Sequence, residues 1–184
     1  MRILAISGSL RRGSHNTSLL RAAGELLSPL DTLELWEGLR EVPPYDQDDD
    51  VEPAPPAVAA FRAAVASADA VLIATPEYNS SIPGALKNAL DWASRPFATN
   101  AFRNKPVAVI GSSSGVFGAV WAQAELRKVL AAMGARVAEV EVAVGRAADK
   151  FDEDGNLLDD AVRQELRDAL ATLSAETAPA LAAA

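Results

Sequence analysis

The sequence predicts a doubly wound α/β sandwich. Three observations carry that expectation: short apolar runs without polar alternation, segments of helical period between them, and a regular alternation of the two along the chain. An apolar run with no polar face reads as a strand covered on both sides, the mark of a parallel sheet.

The first strand is "ILAI", Ile3 to Ile6, and Leu19, Leu20, Ala23, Leu26 and Leu27 set the helix after it. The second strand, "TLELW" from Thr32 to Trp36, interleaves Glu34 with apolar residues, so it is half exposed and belongs at an edge. A Pro-rich, acidic connection from Val42 to Pro56 leads into a helix marked by Val58, Phe61 and Val65. "VLIA", Val71 to Ala74, is the third strand; Leu86, Ala89, Leu90 and Ala93 mark the next helix, with Pro83 near its first position, where a missing N–H is harmless. The fourth strand is "VAVI", Val107 to Ile110, followed by a helix on Leu126, Val129, Leu130 and Met133 that Gly134 closes as a C-terminal cap. "VAEVEV", Val137 to Val142, carries Glu139 and Glu141 and forms the fifth strand at the opposite edge. A last helix holds Val162, Leu166, Ala169, Leu170 and Leu173, and the tail from Ser174 to Ala184, broken by Pro179, is expected to fray. Two edge strands around three buried ones give the flavodoxin-like order 2-1-3-4-5, with helices on both faces of a five-stranded parallel sheet. Residues 1–184 read as one domain.

Composition narrows the function. With 184 residues, folding buries roughly 70% of the surface the unfolded chain exposes, and 49% hydrophobic with 23% charged residues excludes a disordered or fibrous chain. A formal charge of −8 argues against a nucleic-acid partner, because Arg11, Arg12 and Arg21 form only a small basic cluster. The chain has no cysteine and a single histidine, His15, which removes disulfides, iron–sulfur ligation and Cys/His zinc sites, and no metal is expected. Redox chemistry therefore requires a bound organic cofactor. No run of about 18 apolar residues spans a bilayer and no signal segment precedes the first strand, so a cytoplasmic protein without a membrane partner is expected.

The predicted sheet brings the loops after strands one, three and four into one crevice. They read "GSLRRGSHN", "TPEYNSSIPG" and "GSSSGVFGA". In the first, Ser9, Ser14, Asn16, backbone N–H groups and a helix start converge with Arg11 on an anion. The spacing of Gly8 and Gly13 approaches that of a nucleotidase phosphate loop, yet Ser14 stands where the lysine belongs. A phosphate monoester that is held but not cut suits this loop better than a nucleoside triphosphate. Ser14 or Asn16 acting only as a helix cap explains the same residues. In the second loop Glu77, Tyr78 and Asn79 offer polar groups and a ring to the edge of a heterocycle; packing of Tyr78 and a helix-dipole role for Glu77 are the plainer alternatives. The third fits G-x-S-x-G from Gly111 to Gly115, but a hydrolase needs a histidine after Ser113 and none follows. The "DEDG" stretch is no EF-hand, since the first and twelfth positions would be Lys150 and Ala161. The residues by themselves lead to a phosphate-bearing planar ligand.

Taken together, the loops resemble the NADPH-dependent FMN reductase family of quinone, azo and chromate reductases over most of the chain. "PEYNSSIPGALKNALDW" is similar to its pattern P-E-Y-N-x-S-x-P-G-x-L-K-N-x-x-D-W, "GSLRRGSHN" to G-S-L-R-x-x-S-x-N, and "FDEDGNLLDD" to a segment before its last helix. The resemblance implies that Ser9, Arg11, Ser14 and Asn16 hold the FMN phosphate, that Pro76, Glu77, Tyr78 and Asn79 line the isoalloxazine, and that Ser112, Ser113 and Gly115 close its other side. It implies FMN and NADPH as cofactors, no catalytic side chain, a quinone, free flavin, azo compound or metal oxyanion as small-molecule electron acceptor, and a homodimer or tetramer. Where the family often reads G-G-x-R, this chain reads "GAVW", with Ala119 and Trp121 in place of a glycine and an arginine that commonly joins subunits. Trp92 and Trp121 are candidates for an apolar interface or for the core. The rival expectation is a flavodoxin-like FMN electron carrier that does not oxidise NADPH directly.

Overall fold

The computed structural model describes residues 1–177. Its parallel sheet is built from β1 (Arg2–Ser7), β2 (Thr32–Trp36), β3 (Ala70–Thr75), β4 (Pro106–Ser112) and β5 (Arg136–Val137) in the order β2-β1-β3-β4-β5, with β6 (Ala143–Val144) also beside β4. Ile3 pairs with Leu33 and Ala70, and Ile73 with Val109, so the expected order and register position the carboxyl ends of β1, β3 and β4 side by side.

Period-two alternation within the buried strands feeds two cores. Leu4, Ile6, Val71, Ile73, Val107 and Val109 face α2 (Pro56–Ser67), α3 (Gly84–Ala93) and α4 (Val120–Ala132), where Phe61, Trp92 and Phe102 are fully buried. Ile3, Ala5, Leu72, Ala108 and Ile110 face α1 (His15–Glu25) and α5 (Asp160–Thr177), against Leu19, Leu20, Leu166 and Leu173. The proline-rich connection is tied to α3: Trp92 Nε1 and Asn88 Nδ2 donate to Pro43 O at 2.9 and 2.8 Å, and Arg62 pairs with Asp50 at 2.9 Å.

Two expectations are corrected. The fifth strand is not continuous over Val137 to Val142; it breaks into β5 and β6, because side chains of α4 enter the seam beside β4. Arg127 Nη2 donates to Val140 O at 2.7 Å and to Val109 O at 3.4 Å, and Gln123 Nε2 donates to Val142 O at 3.2 Å, supplying donors that a continuous ladder would have supplied. The frayed tail does not begin at Ser174: α5 continues to Thr177, held by burial of Leu173 and by Arg136 Nη2 donating to Glu176 O at 2.7 Å. The rest of that expected tail, 178–184, lies outside the described residues.

Candidate functional site

A cavity of about 280 Å³ opens where the three loops meet. Ser9, Arg11, Ser14, His15 and Asn16 line it from the first loop, Pro76, Glu77 and Tyr78 from the second, and Ser112, Ser113 and Ser114 from the third. Asn79 and Gly115, also expected there, stand outside the lining, while His15 and Ser114 join it. A larger cavity of about 610 Å³ opens among Met1, Asp69, Lys105 and Arg136 at the opposite, amino ends of the strands, away from every candidate residue.

The first loop is drawn tight at its base. Gly8 N–H donates to Ala74 O at 2.8 Å, and a Cβ at Gly8 would stand 3.0 Å from the Leu86 side chain, which would have to give way for any larger residue. Ser14 caps α1, its Oγ accepting from Thr17 N–H at 3.4 Å. Among the described residues the N–H groups of Gly13, Ser14, His15 and Asn16 find no acceptor. Four free donors at a helix start, beside an Arg11 side chain that no carboxylate pairs among the described residues, are chemically suited to receive an anion. The cap reading and the anion reading of Ser14 are thus compatible: its side chain orders the turn whose amides point outward.

Asn16 behaves differently from the expectation of a ligand to that anion. It is buried, its Oδ1 accepts from Ser112 N–H at 3.0 Å, and its Nδ2 donates to Ser112 O at 2.9 Å. The amide stitches α1 to the end of β4 and thereby sets the width of the cavity. Ser112 itself is buried at the cavity wall, and its Oγ has no hydrogen-bond partner among the described residues. An unsatisfied buried hydroxyl costs about 1–3 kcal/mol, so the site holds a polar group that a ligand atom would relieve.

The second loop folds on a two-residue turn. Tyr78 and Ser81 exchange N–H to O bonds at 3.0 and 3.1 Å, with Asn79 and Ser80 at φ of 53° and 61°, the type I′ geometry that asparagine tolerates. Asn79 therefore shapes the tip, and Tyr78, half exposed, flanks the cavity mouth. Glu77 has a task the sequence did not disclose: its Oε2 accepts from Trp121 and Ala122 N–H, both at 3.1 Å, capping α4. Ala119, the N-cap residue of that helix, sits at φ 64° and offers no side-chain cap. The helix-dipole role suggested for Glu77 is real, but it serves the helix after β4 rather than the one after β3.

His15 packs on Phe151 with ring centroids 5.6 Å apart, and burial, with the Arg11 charge, pushes its pKa below the ordinary value. Among the described residues it forms no hydrogen bond to Ser113, whose Oγ instead donates to Gly115 O at 3.3 Å, so the pair a serine hydrolase requires is not assembled. Trp92 is core, whereas Trp121 is half exposed and meets Phe117 edge-on at 5.0 Å. No group of three or more His, Asp or Glu side chains among the described residues is placed to hold a metal ion.

The NADPH-dependent FMN reductase family model matches residues 1–149. The chain is 42% identical over 174 residues to an NAD(P)H-dependent FMN reductase of Pseudomonas aeruginosa, covering 94% of this chain and 93% of that protein. It is 39% identical to a 2-hydroxy-1,4-benzoquinone reductase of a Burkholderia species, over 91% of each chain. Among solved structures, the flavoenzyme NAD(P)H:(acceptor) oxidoreductase FerB of Paracoccus denitrificans superposes with a TM-score of 0.83 at 34% identity, covering 96% of this chain and 94% of that one.

Proposed function

The chain belongs to the NADPH-dependent FMN reductase family, an oxidoreductase family using FMN and NAD(P)H, and on that premise we propose that it is a quinone reductase whose FMN lies in the cavity between the three loops. The observation that carries the placement is the match of unsatisfied donors to the ligand: free N–H groups from Gly13 to Asn16 at one end, and the orphaned Ser112 hydroxyl on the wall. Those amides, Ser9, Ser14 and Arg11 hold the phosphate, which is anchored and never cut, so the loop needs neither lysine nor magnesium. Pro76, Glu77 and Tyr78 border the ring on one side and Ser112 and Ser113 on the other, while Asn16, Asn79 and Gly115 act through the backbone they shape.

Bound there, FMN would supply the two-electron redox chemistry that links NAD(P)H to the acceptor. The chain's own residues position and shield. Asn16 and Glu77 tie the two walls in place through Ser112 and α4, and Tyr78 and Ser114 are exposed at the cavity's edge, where donor and acceptor would enter in turn. No side chain is needed as acid or base. The names of the relatives support a quinone as acceptor, ahead of free flavin, azo compounds and metal oxyanions. A reductant drawn from the pyridine-nucleotide pool supports a cytoplasmic location. The exposed cluster of Val116, Phe117 and Trp121 supports a homodimer, and the absence of the family's subunit-joining arginine at Trp121 disfavours the tetramer.

The test is the visible spectrum of the protein incubated with FMN and freed of excess, before and after anaerobic NADPH and then a benzoquinone. Retained colour that NADPH bleaches and the quinone restores is the expected result. Colour indifferent to NADPH identifies an electron carrier, and a colourless protein overturns the placement of FMN.

A further inference from the structure

On the other side of the first loop lies a second cavity, of about 200 Å³, that shares Ser9 and Arg11 with the flavin cavity. Its lining carries four guanidinium groups, from Arg11, Arg12, Arg21 and Arg40, against one carboxylate, Glu37. That balance is the reverse of the chain's, which has 25 acidic and 17 basic side chains. Among the described residues no ion pair claims any of the four. Arg40 Nη2 donates to Leu10 O at 2.8 Å, which fixes its charge over the loop, and Arg12 and Arg21 remain exposed and uncommitted. Like charges gathered without counter-ions repel one another, and a planar fork of donors on each is suited to phosphate oxygens.

Resting on the reading of the first cavity as the FMN site, we infer that this second cavity receives the 2′-phosphate of NADPH, through Arg12 and Arg21 with Arg40 behind them. The two cavities share Ser9 and Arg11 of the first loop, so they adjoin, and a dinucleotide with its nicotinamide at the flavin mouth would direct its other end across this loop toward the arginines. NADPH and NADH differ only in this phosphate, a dianion near neutral pH. The arginine cavity is then the determinant of the donor's identity through Arg12, Arg21 and Arg40, while Arg11, which lines both cavities, serves the first phosphate.

The experiment is a calorimetric titration of the purified protein with 2′,5′-ADP and with 5′-AMP, beside kcat/KM for NADPH and NADH, on the native chain and on Arg12→Ala/Arg21→Ala. Both positions are exposed, and alanine is at ease in the helix that carries Arg21. The native protein is expected to bind 2′,5′-ADP on the order of tenfold or more tighter than 5′-AMP, as two charge-assisted contacts require. The double variant is expected to bind both alike, with kcat/KM falling for NADPH and unchanged for NADH. A native protein that does not distinguish the two nucleotides, a variant that keeps the preference, or inorganic phosphate binding as tightly as 2′,5′-ADP would each overturn the inference. The titration is made on protein saturated with FMN, whose own phosphate fills the first site, so it reads the arginine cavity, and flavin absorbance reads the FMN site separately.

Discussion

Ser112 is the residue at which stability and binding pull in opposite directions. Its hydroxyl is buried without a partner among the described residues, so Ser112→Ala is expected to remove a desolvated polar atom and leave the FMN-free protein as stable or more so. The same change takes one hydrogen bond from bound FMN, about 1 kcal/mol or roughly fivefold in Kd. Urea unfolding of the flavin-free protein and fluorescence titration with FMN measure the two effects; a variant that loses stability and keeps its affinity would show that the hydroxyl has a protein partner instead. Arg11→Ala should act on binding alone, raising the FMN Kd by an amount equivalent to about 1–3 kcal/mol with no change in the urea midpoint, since Arg11 is exposed and unpaired among the described residues. Arg11 was legible as a candidate in the sequence, because a helix start, small hydroxyl residues and a guanidinium together read as an anion site, whereas Ser112 followed from the family resemblance alone. The work of Asn16 was not: its partner Ser112 lies 96 positions along the chain, and a one-dimensional pattern carries no sign of which of two plausible bonds an amide makes.

Among the elements, α4 depends on a loop that precedes it by a whole βα unit. Ala119 cannot cap the helix, so two of its first N–H groups rely on the Glu77 carboxylate. Glu77→Ala is expected to lower unfolding free energy by about 1 kcal/mol, the usual worth of a cap, and Glu77→Gln by less, because the amide oxygen still accepts; urea midpoints of the two variants decide it. Next to this cap, glycine and alanine have unlike roles at similar backbone angles. Gly118, at φ 60°, has no room, since a Cβ would stand 2.2 Å from the Ala143 carbonyl carbon, whereas the Ala119 methyl at φ 64° is buried in the core. The strands of the sheet centre were legible because apolar runs covered on both faces have no other explanation, and the edge strand β2 because its Glu34 alternates. The fifth strand was misread for a physical reason: "VAEVEV" has strand propensity, but Arg127 and Gln123 satisfy the backbone groups on that side, and propensity does not register competition from a neighbouring helix. The end of α5 was misread likewise, since Arg136 holding Glu176 O is a long-range bond.

For the whole molecule, the remaining question is what covers the apolar surface beside the site. Val116, Phe117 and Trp121 are 63%, 62% and 50% exposed, and the two rings touch edge-on, forming one cluster on a chain whose net charge of −8 otherwise favours dispersal. Aromatic side chains bury about 150–250 Å² each when fully covered, and with half or more of each still exposed the pair would supply the apolar centre of an interface whose standard size is roughly 800 Å² per partner. In the proposed homodimer such a cluster would close on itself through a two-fold axis, burying the same residues from both copies and leaving none for further addition, so a dimer is expected and not a filament. The two copies carry like charge and repel, so screening is expected to make their association stronger as ionic strength rises, the reverse of an interface built on ion pairs. Sedimentation equilibrium is expected to show a dimer whose dissociation constant falls with added salt, and a monomer for Phe117→Glu/Trp121→Glu, because each copy would then place two carboxylates in a desolvated centre. Both residues are exposed in the folded chain, so the variant is expected to keep its urea midpoint at low protein concentration, separating loss of the interface from loss of the fold. A native chain that sediments as a monomer at all salt concentrations, or a variant that remains dimeric, would place the contact elsewhere.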